Sequence, residues 1–290
     1  MEIIFETIQQ DTNKFRIMNN IFYTTYLMGG LGNQMFQIAH TYSQGLRKSI
    51  IVKFRPSAYT PMQANQPTKY TNNIFRNINF ETFTSKLVSI SSEWKFKEIN
   101  PPIDQVIEFF GYFQSNKNFY GFDNQIRELF EPTDDFIVKI KNLYPEILSQ
   151  KNVSLHIRRG DYLTISDILP TISKSYIESC LNKIREYDNI FVFSDDKDWI
   201  KKNINYEKII FVEGLEDYEE LWTISLCHTN IMSNSSFSWW GSFLNKNENK
   251  KIYCPSIWFG PKGEKDYQDI YINDWIKVDT FYENGEIKCY

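Results

Sequence analysis

Five short apolar runs in the second half of the chain, at residues 153–157, 190–193, 209–212, 230–232 and 252–254, have the length of buried strands, and segments of helical periodicity separate them. This alternation restricts the fold more than any other feature of the sequence. Strands that alternate with helices pair in parallel and are joined by right-handed crossovers. Between the first two runs, residues 173–187 place Ile177, Cys180, Leu181 and Ile184 on one helical face. Before the fourth, residues 217–227 open with Asp217 and Glu220 at capping-box spacing and bring in Leu221, Ile224 and Leu226. The first half begins in the same manner. Residues 21–28 read as a strand that breaks at Gly29, Gly30 and Gly32; residues 33–48 carry Met35, Ala39, Tyr42 and Leu46 at helical spacing; residues 49–54 read as the next strand. Residues 56–107, with Pro61, Pro67, Pro101 and Pro102 among many Asn, Thr and Ser, predict loops and short elements. A length of 290 residues predicts two domains.

Charge narrows the partners. A formal net charge of −4 provides no electrostatic footprint for a polyanion, so nucleic acid is excluded as a partner, and any phosphate must be met by a few placed cations and amides. No apolar stretch approaches the ~20 residues of a bilayer span, so no integral membrane anchor is expected. Residues 1–20 interleave Glu2, Glu6, Asp11, Lys14 and Arg16 with apolar positions, which reads as an N-terminal extension and not as a signal peptide. Cys180, Cys227, Cys254 and Cys289 are scattered, without the close pairs of a zinc site or the density of a disulfide scaffold. The sequons at Asn152 and Asn234 fall in the stretches assigned below to the ligand cleft. Both features fit a cytoplasmic, reducing setting.

In a parallel α/β sheet, ligands bind outside the carboxyl ends of the strands, and four strand ends here carry unusual residues. The first strand runs into Gly29-Gly30-Leu31-Gly32-Asn33-Gln34. The others run into Arg158-Arg159-Gly160-Asp161, Ser194-Asp195-Asp196 and Ser233-Asn234-Ser235-Ser236. These four ends are expected to share one cleft. Period-two alternation places Val153, Leu155 and Ile157 on one face of their strand and Ser154, His156 and Arg158 on the other. An arginine there suits a phosphate, because its planar fork donates two parallel hydrogen bonds; an ion-pair hub in which Asp161 neutralises an arginine fits equally. Ser235 and Ser236 stand at the start of a helix through Phe237, Trp239, Trp240 and Leu244, where free amides favour an anion and where simple N-capping is the competing reading. The glycine run matches neither the dinucleotide fingerprint nor the P-loop, and a tight turn without a ligand also accounts for it. Asp195, Asp196 and Asp198 could form an Asp-x-Asp metal site, but with arginine and a helix start to balance charge a metal would be redundant, and no metal is expected.

His156-Ile157-Arg158-Arg159-Gly160-Asp161 resembles the His-x-Arg-Arg-x-Asp motif shared by α-1,2-, α-1,6- and protein-O-fucosyltransferases. The stretch from Gly29 to Gln37 resembles the opening of the α-1,2 branch, glycosyltransferase family 11, as do Phe193-Ser194-Asp195-Asp196 and the run from Ser233 to Gly241. The matches span residues 29–241 in the family's order, whereas residues 56–147 match little. The resemblance implies a GT-B-like fold of two Rossmann-like domains with mostly parallel sheets about a central cleft, residues 1–148 on the acceptor side and residues 149–290 binding the nucleotide sugar. It implies a metal-independent, inverting transfer of L-fucose from GDP-fucose, with no further cofactor, to the 2-hydroxyl of a galactose-containing glycan acceptor. Carried over, Arg158 holds the β-phosphate with His156 and Arg159 beside it, and Ser235 and Ser236 cradle the pyrophosphate. Asp195 and the turn residues Gly30, Gly32, Asn33 and Gln34 join the donor site. Glu220 stands where the family commonly has an Asp that reads guanine. Asp161 is either a general base or an orienter of Arg158 or Arg159.

Overall fold

The computed structural model describes residues 21–59 and 64–290, so the N-terminal extension and Pro61 lie outside the described residues. The fold divides into two compact units between Leu129 and Phe130.

The first unit is built on a four-stranded parallel sheet of β1 (Phe22–Thr25), β2 (Ile51–Val52), β3 (Val88–Ser91) and β4 (Ile107–Phe110), in the order β2-β1-β4-β3. Tyr23, Ile107, Phe109 and Phe113 pack its core. Helix α1 (Leu31–Lys48) follows β1 as the glycine break requires. Met35 and Ala39 are fully buried as expected, but Leu46 is 40% exposed. The physical reason is that α1 is enclosed on several sides, so its buried set extends to Gln34, Gln37, His40, Thr41, Ser43 and Gln44 and is not confined to one apolar stripe. Part of this polar set is satisfied locally: Gln37 Oε1 accepts from Met28 N at 2.9 Å, and Ser43 Oγ donates to Asn118 O at 3.0 Å. The strand expected over 49–54 shrinks to two residues plus an isolated bridge between Phe54 and Phe80, because Ser49 takes a left-handed φ of 54° to end the helix. Among its described residues, the Pro- and Asn-rich stretch supplies a 3-10 turn (Pro67–Tyr70) and β3. Helix α2 (Asp123–Phe130) runs to the division between the units.

The second unit opens with α3 (Asp134–Leu143) and carries every strand expected from the apolar runs: β5 (Asn152–Ile157), β7 (Asn189–Ser194), β8 (Ile209–Phe211), β9 (Thr229–Ile231) and β10 (Lys251–Pro255), with β11 (Ile276–Val278) added. All pair in parallel in the order β11-β10-β9-β5-β7-β8. Counted from β5, this is the 3-2-1-4-5-6 order of dinucleotide-binding sheets, and the direction of winding reverses between β5 and β9. The short strands β6 (Thr171–Ile172), β12 (Phe281–Glu283) and β13 (Glu286–Lys288) form a separate sheet. Helices α4 (Lys174–Asn182), α5 (Lys197–Asn203), α6 (Asp217–Leu226) and α7 (Ser236–Phe243) connect the strands.

The expected alternation in β5 holds. Val153, Leu155 and Ile157 join Ile177, Cys180, Leu181, Ile190 and Val192 in the apolar core. The opposite face is a buried polar seam. Asn189 Nδ2 donates to Asn152 Oδ1 at 3.0 Å, Asn230 Nδ2 donates to Ser154 Oγ at 2.7 Å, and Asn245 Nδ2 donates to Asn230 Oδ1 at 2.8 Å. Two helix boundaries differ from expectation. Helix α4 stops at Asn182, and Ile184 packs on the core from beyond it. Helix α6 is capped one residue earlier than the sequence spacing indicates: Glu216 is its N-cap, and Glu219 Oε2 accepts from Glu216 N at 3.0 Å. This shift frees Glu220 from any capping duty.

Asn152 and Asn234 are 0% and 1% exposed, so neither sequon can carry a glycan in the folded chain. Among the described residues no helix is long and apolar enough to cross a membrane.

Candidate active site

The switch point between β5 and β9 is where a doubly wound sheet opens a crevice, and the two polar motifs of the sequence emerge on either side of it. From β5 the chain passes through Arg158, Arg159 and Gly160 into a 3-10 turn (Asp161–Thr164); from β9 it passes through Met232, Ser233 and Asn234 into α7. Beside β5, strand β7 delivers Asp195 and Asp196 ahead of α5.

Arg158 is held between two carboxylates. Its Nη2 lies 2.7 Å from Asp161 Oδ1 and its Nη1 lies 2.9 Å from Asp195 Oδ2. Its guanidinium also stands 5.8 Å over the Tyr162 ring. The side chain remains 32% exposed, which leaves part of its donor fork open. Asp195 organises the junction, because its Oδ1 accepts from the Arg159 amide at 2.9 Å while its Oδ2 pairs Arg158. Gly160 permits this approach: a Cβ there would lie 2.7 Å from Asp195 Oδ2. Arg159 turns inward. It is 8% exposed, stacks 4.2 Å over Trp199 and donates from Nε to Asp196 Oδ2 at 3.1 Å. Asp196 also caps α5 by accepting from Trp199 N at 3.0 Å. With Glu286 Oε1 3.8 Å from Arg159 Nη1, four carboxylates among the described residues outnumber the two guanidinium groups, and a phosphate arriving here meets directed donors, not a positive field.

The other side of the crevice supplies such donors. Ser235 is the N-cap of α7, its Oγ accepting from Phe237 N at 3.3 Å, and Ser236 is the first helical residue. Capping and anion binding are compatible here, because a single side-chain bond leaves further first-turn amides open. His156 lies 7% exposed with Nδ1 2.9 Å from Ser233 Oγ and its ring 5.1 Å from that of Phe237. Burial is the main cause that lowers its pKa to about 4, with Arg158 adding repulsion against the opposing pull of Asp195. The imidazole is therefore neutral at pH 7. Tyr162 links the halves: its hydroxyl donates to Asn234 O at 3.3 Å, and burial pushes its pKa up to about 12, so it stays a donor.

Glu220, in the first turn of α6, is half-buried and close enough to Asp195 and Lys197 to feel both. Burial first, then repulsion from Asp217 and Asp195, raises its carboxyl to about 7 against the pull of Lys197. The second unit thus brings together His156, Arg158, Arg159, Asp161, Asp195, Ser235 and Ser236, with Glu220 at the margin. Tyr162, Ser233 and Trp199 join them; periodicity could have suggested Ser233, whereas nothing in the sequence marks Tyr162 or Trp199.

The glycine turn belongs to the first unit. Gly29 takes a φ of 77°, and a Cβ there would lie 2.4 Å from Asn33 Nδ2. Gly30 is the N-cap of α1 and has open space beside it. Gly32 is buried. Asn33 Oδ1 accepts from Gln114 Nε2 at 2.7 Å, and the fully buried Gln34 donates to Gly29 O at 2.9 Å and Asn65 O at 3.0 Å. Gln34 is therefore a brace of the turn.

Comparison with known proteins agrees with this architecture. A model of glycosyl transferase family 11 matches residues 2–279. The chain is 29% identical to the alpha-1,2-colitosyltransferase of Escherichia coli over 284 residues, covering 87% of this chain and 97% of that protein. It is 27% identical to a galactoside 2-alpha-L-fucosyltransferase of Caenorhabditis elegans, covering 49% of this chain and 43% of that one. Among solved structures, the fucosyltransferase NodZ from Bradyrhizobium superposes with a TM-score of 0.52 at 12% identity, over 78% of this chain and 92% of that one, which shows a common α/β fold of the GT-B kind. With the family pattern running through nearly its whole length, on a fold of that kind, the chain belongs to glycosyl transferase family 11.

Proposed function

We propose that the chain is a galactoside α-1,2-fucosyltransferase, moving L-fucose from GDP-fucose to the 2-hydroxyl of a terminal galactose with inversion at the anomeric carbon. One observation carries the reading: a guanidinium fixed by two carboxylates and a serine-fronted helix start emerge on opposite sides of the switch point between β5 and β9. In this reading residues 149–290 bind the donor and residues 1–148 the acceptor. Direct displacement makes the sugar oxocarbenium-like and leaves charge on the departing β-phosphate. The open edge of Arg158 and the first amides of α7, with the hydroxyls of Ser235 and Ser236, meet that charge. Neutral His156 lines the phosphate side. Arg159 and Asp195 act through Arg158, fixing its plane and the end of β5. In this reading Asp161, at 42% exposure against 25% and 26% for Asp195 and Asp196, takes the acceptor proton, and its pairing with Arg158 supports the alternative in which it orients that side chain.

A second donor deserves the same assay. Colitose is L-fucose without its 3-hydroxyl, and the similarity to a colitosyltransferase along nearly that protein's whole length favours a site that accepts GDP-colitose as well. GDP release from each donor, with and without a β-galactoside, tests both readings. Binding of the donors with no GDP release under either condition marks a silent GDP-sugar-binding protein, release that does not depend on the galactoside marks hydrolysis of the donor, and either result overturns both.

Transfer is expected to persist unchanged in excess EDTA. The carboxylates that could hold a metal already serve other partners, Asp195 the Arg158 side chain and the Arg159 amide, Asp196 Arg159 and the α5 cap. Loss of turnover that manganese restores would reverse this assignment.

If Glu220 reads guanine, it must be ionised to accept two N–H donors. Its carboxyl titrates near 7 in the free chain and lower once guanine is bound, so binding releases a proton and weakens as pH falls. Affinity for GDP-fucose should drop about tenfold from pH 8 to pH 6. Calorimetric titration of wild type and Glu220→Gln checks it: the variant should bind weakly at both pH values, and an equal pH dependence in both removes Glu220 from the site.

A further inference from the structure

The strands of the first unit carry their own concentration of exposed rings at their carboxyl ends. Tyr26, directly after β1, is 40% exposed; Phe110, the last residue of β4, is 45% exposed; Tyr59 is 71% exposed. Scattered exposed rings are ordinary, but these share one end of a sheet. The Tyr26 and Phe110 rings lie 5.7 Å apart. A cavity of about 220 Å³ opens between Tyr26, Arg55, Ser57 and Tyr59, over buried Thr25 and Leu27. The backbone of this rim is fixed as an extension of the sheet: Tyr26 N donates to Phe109 O at 3.0 Å and Tyr59 N to Leu27 O at 2.9 Å.

Arg55 is also held. It pairs with Glu108 of β4, and its guanidinium stands 4.5 Å over the Phe83 ring. Glu108 cancels its charge, so the cavity has no preference for an anion. What remains is a planar set of donors beside an acceptor, next to an aromatic wall. A pyranose is the ligand of that shape and polarity: one face of its ring is C–H, and its rim carries hydroxyls that both donate and accept. Galactose presents the more continuous C–H face among common hexoses, because its 4-hydroxyl is axial.

We propose that Tyr26, Phe110, Tyr59, Arg55 and Glu108 form a pyranose subsite that holds the galactose unit of the acceptor. The ring stacks on Tyr26, and two adjacent hydroxyls engage the Arg55–Glu108 pair. The identity of this sugar as the acceptor rests on the transferase reading above; the binding of a neutral pyranose does not.

Saturation-transfer NMR with methyl β-D-galactopyranoside on the full chain in the presence of GDP, together with half-saturation by lactose in fucosyl transfer, tests the subsite. Wild type should show the strongest transfer at the apolar face of the galactoside. Tyr26→Ala and Glu108→Gln should each weaken binding and raise half-saturation by about tenfold, with GDP affinity within twofold of wild type. Circular dichroism verifies folding, and the near-isosteric Glu108→Gln carries the test if Tyr26→Ala does not fold. Absence of galactoside binding to wild type, or equal binding and half-saturation in the folded variants, overturns the proposal. If the galactoside binds and the variants weaken it but no fucose is transferred, the donor reading fails and the subsite stands. If transfer proceeds with unchanged half-saturation in the variants, the reverse holds.

Discussion

Replacing Arg158 by lysine should reduce the transfer rate about a hundred- to a thousandfold while the protein stays folded, the loss typical of removing one donor aimed at developing charge, about 3–4 kcal/mol. The guanidinium spreads its donors over a plane: one edge meets Asp161 at 2.7 Å, another Asp195 at 2.9 Å, and the exposed remainder faces solvent. An ammonium on a flexible stem cannot satisfy two fixed carboxylates and still aim at a phosphate. The stability cost should be small, about 1 kcal/mol or less, because the side chain is one-third exposed and its ion pairs are screened. The ion-pair-hub reading makes the opposite forecast, a drop in thermal stability with a rate per folded molecule within a few-fold of wild type. Initial rates and thermal unfolding on one preparation separate them, and near-normal turnover in Arg158→Lys would remove the phosphate role.

Asp195→Ala should damage both properties at once. Asp195 makes two separate bonds, to the Arg158 side chain and to the Arg159 amide. Without it the amide loses its partner in a partly buried position, at a cost of about 1–3 kcal/mol. Arg158 keeps only Asp161 and swings about that single contact, which should lower kcat by about ten- to a hundredfold through lost orientation. Asp195→Asn is the informative control, since its carbonyl oxygen can still accept from the Arg159 amide. It should recover most of the stability and less of the rate. Equal losses of rate in both variants, with Asn as stable as wild type, would point to charge and not position as the contribution of Asp195. Full activity in Asp195→Ala would show that Arg158 needs no second anchor.

The sheet of the second unit was legible because its central strands β5 and β7 are almost wholly buried and, with their neighbours, read as short apolar-rich runs between helical periods. Their polar endings marked the crevice for the same reason: Arg158, Asp195 and Ser235 each interrupt a pattern that otherwise buries apolar surface. Other features were not legible. The start of α6 was misplaced by a residue because Glu216, Asp217, Glu219 and Glu220 offer two overlapping caps, and only backbone geometry chooses Glu216. The exposure of Leu46 depends on how far neighbouring elements enclose α1, which is a tertiary property. The inward turn of Arg159 onto Trp199 could not be inferred either, since consecutive arginines look alike until one is seen to stack and the other to face the crevice.

The polar seam on the inner face of β5 has a consequence for how the crevice is kept in alignment. Apolar contacts between adjacent strands are nondirectional and tolerate sliding, whereas the bond from Asn230 to Ser154, continued to Asn245, can be made at only one strand register. A slip of one residue would turn Asn230 toward the apolar core and move the loop of Ser235 by about 3.3 Å along the β5 axis relative to Arg158. The two sides of the crevice are carried on different strands and joined near their tips through small contacts such as those of His156 and Tyr162. Their phase is thus set further back, in the middle of the sheet, by an asparagine that never meets a ligand.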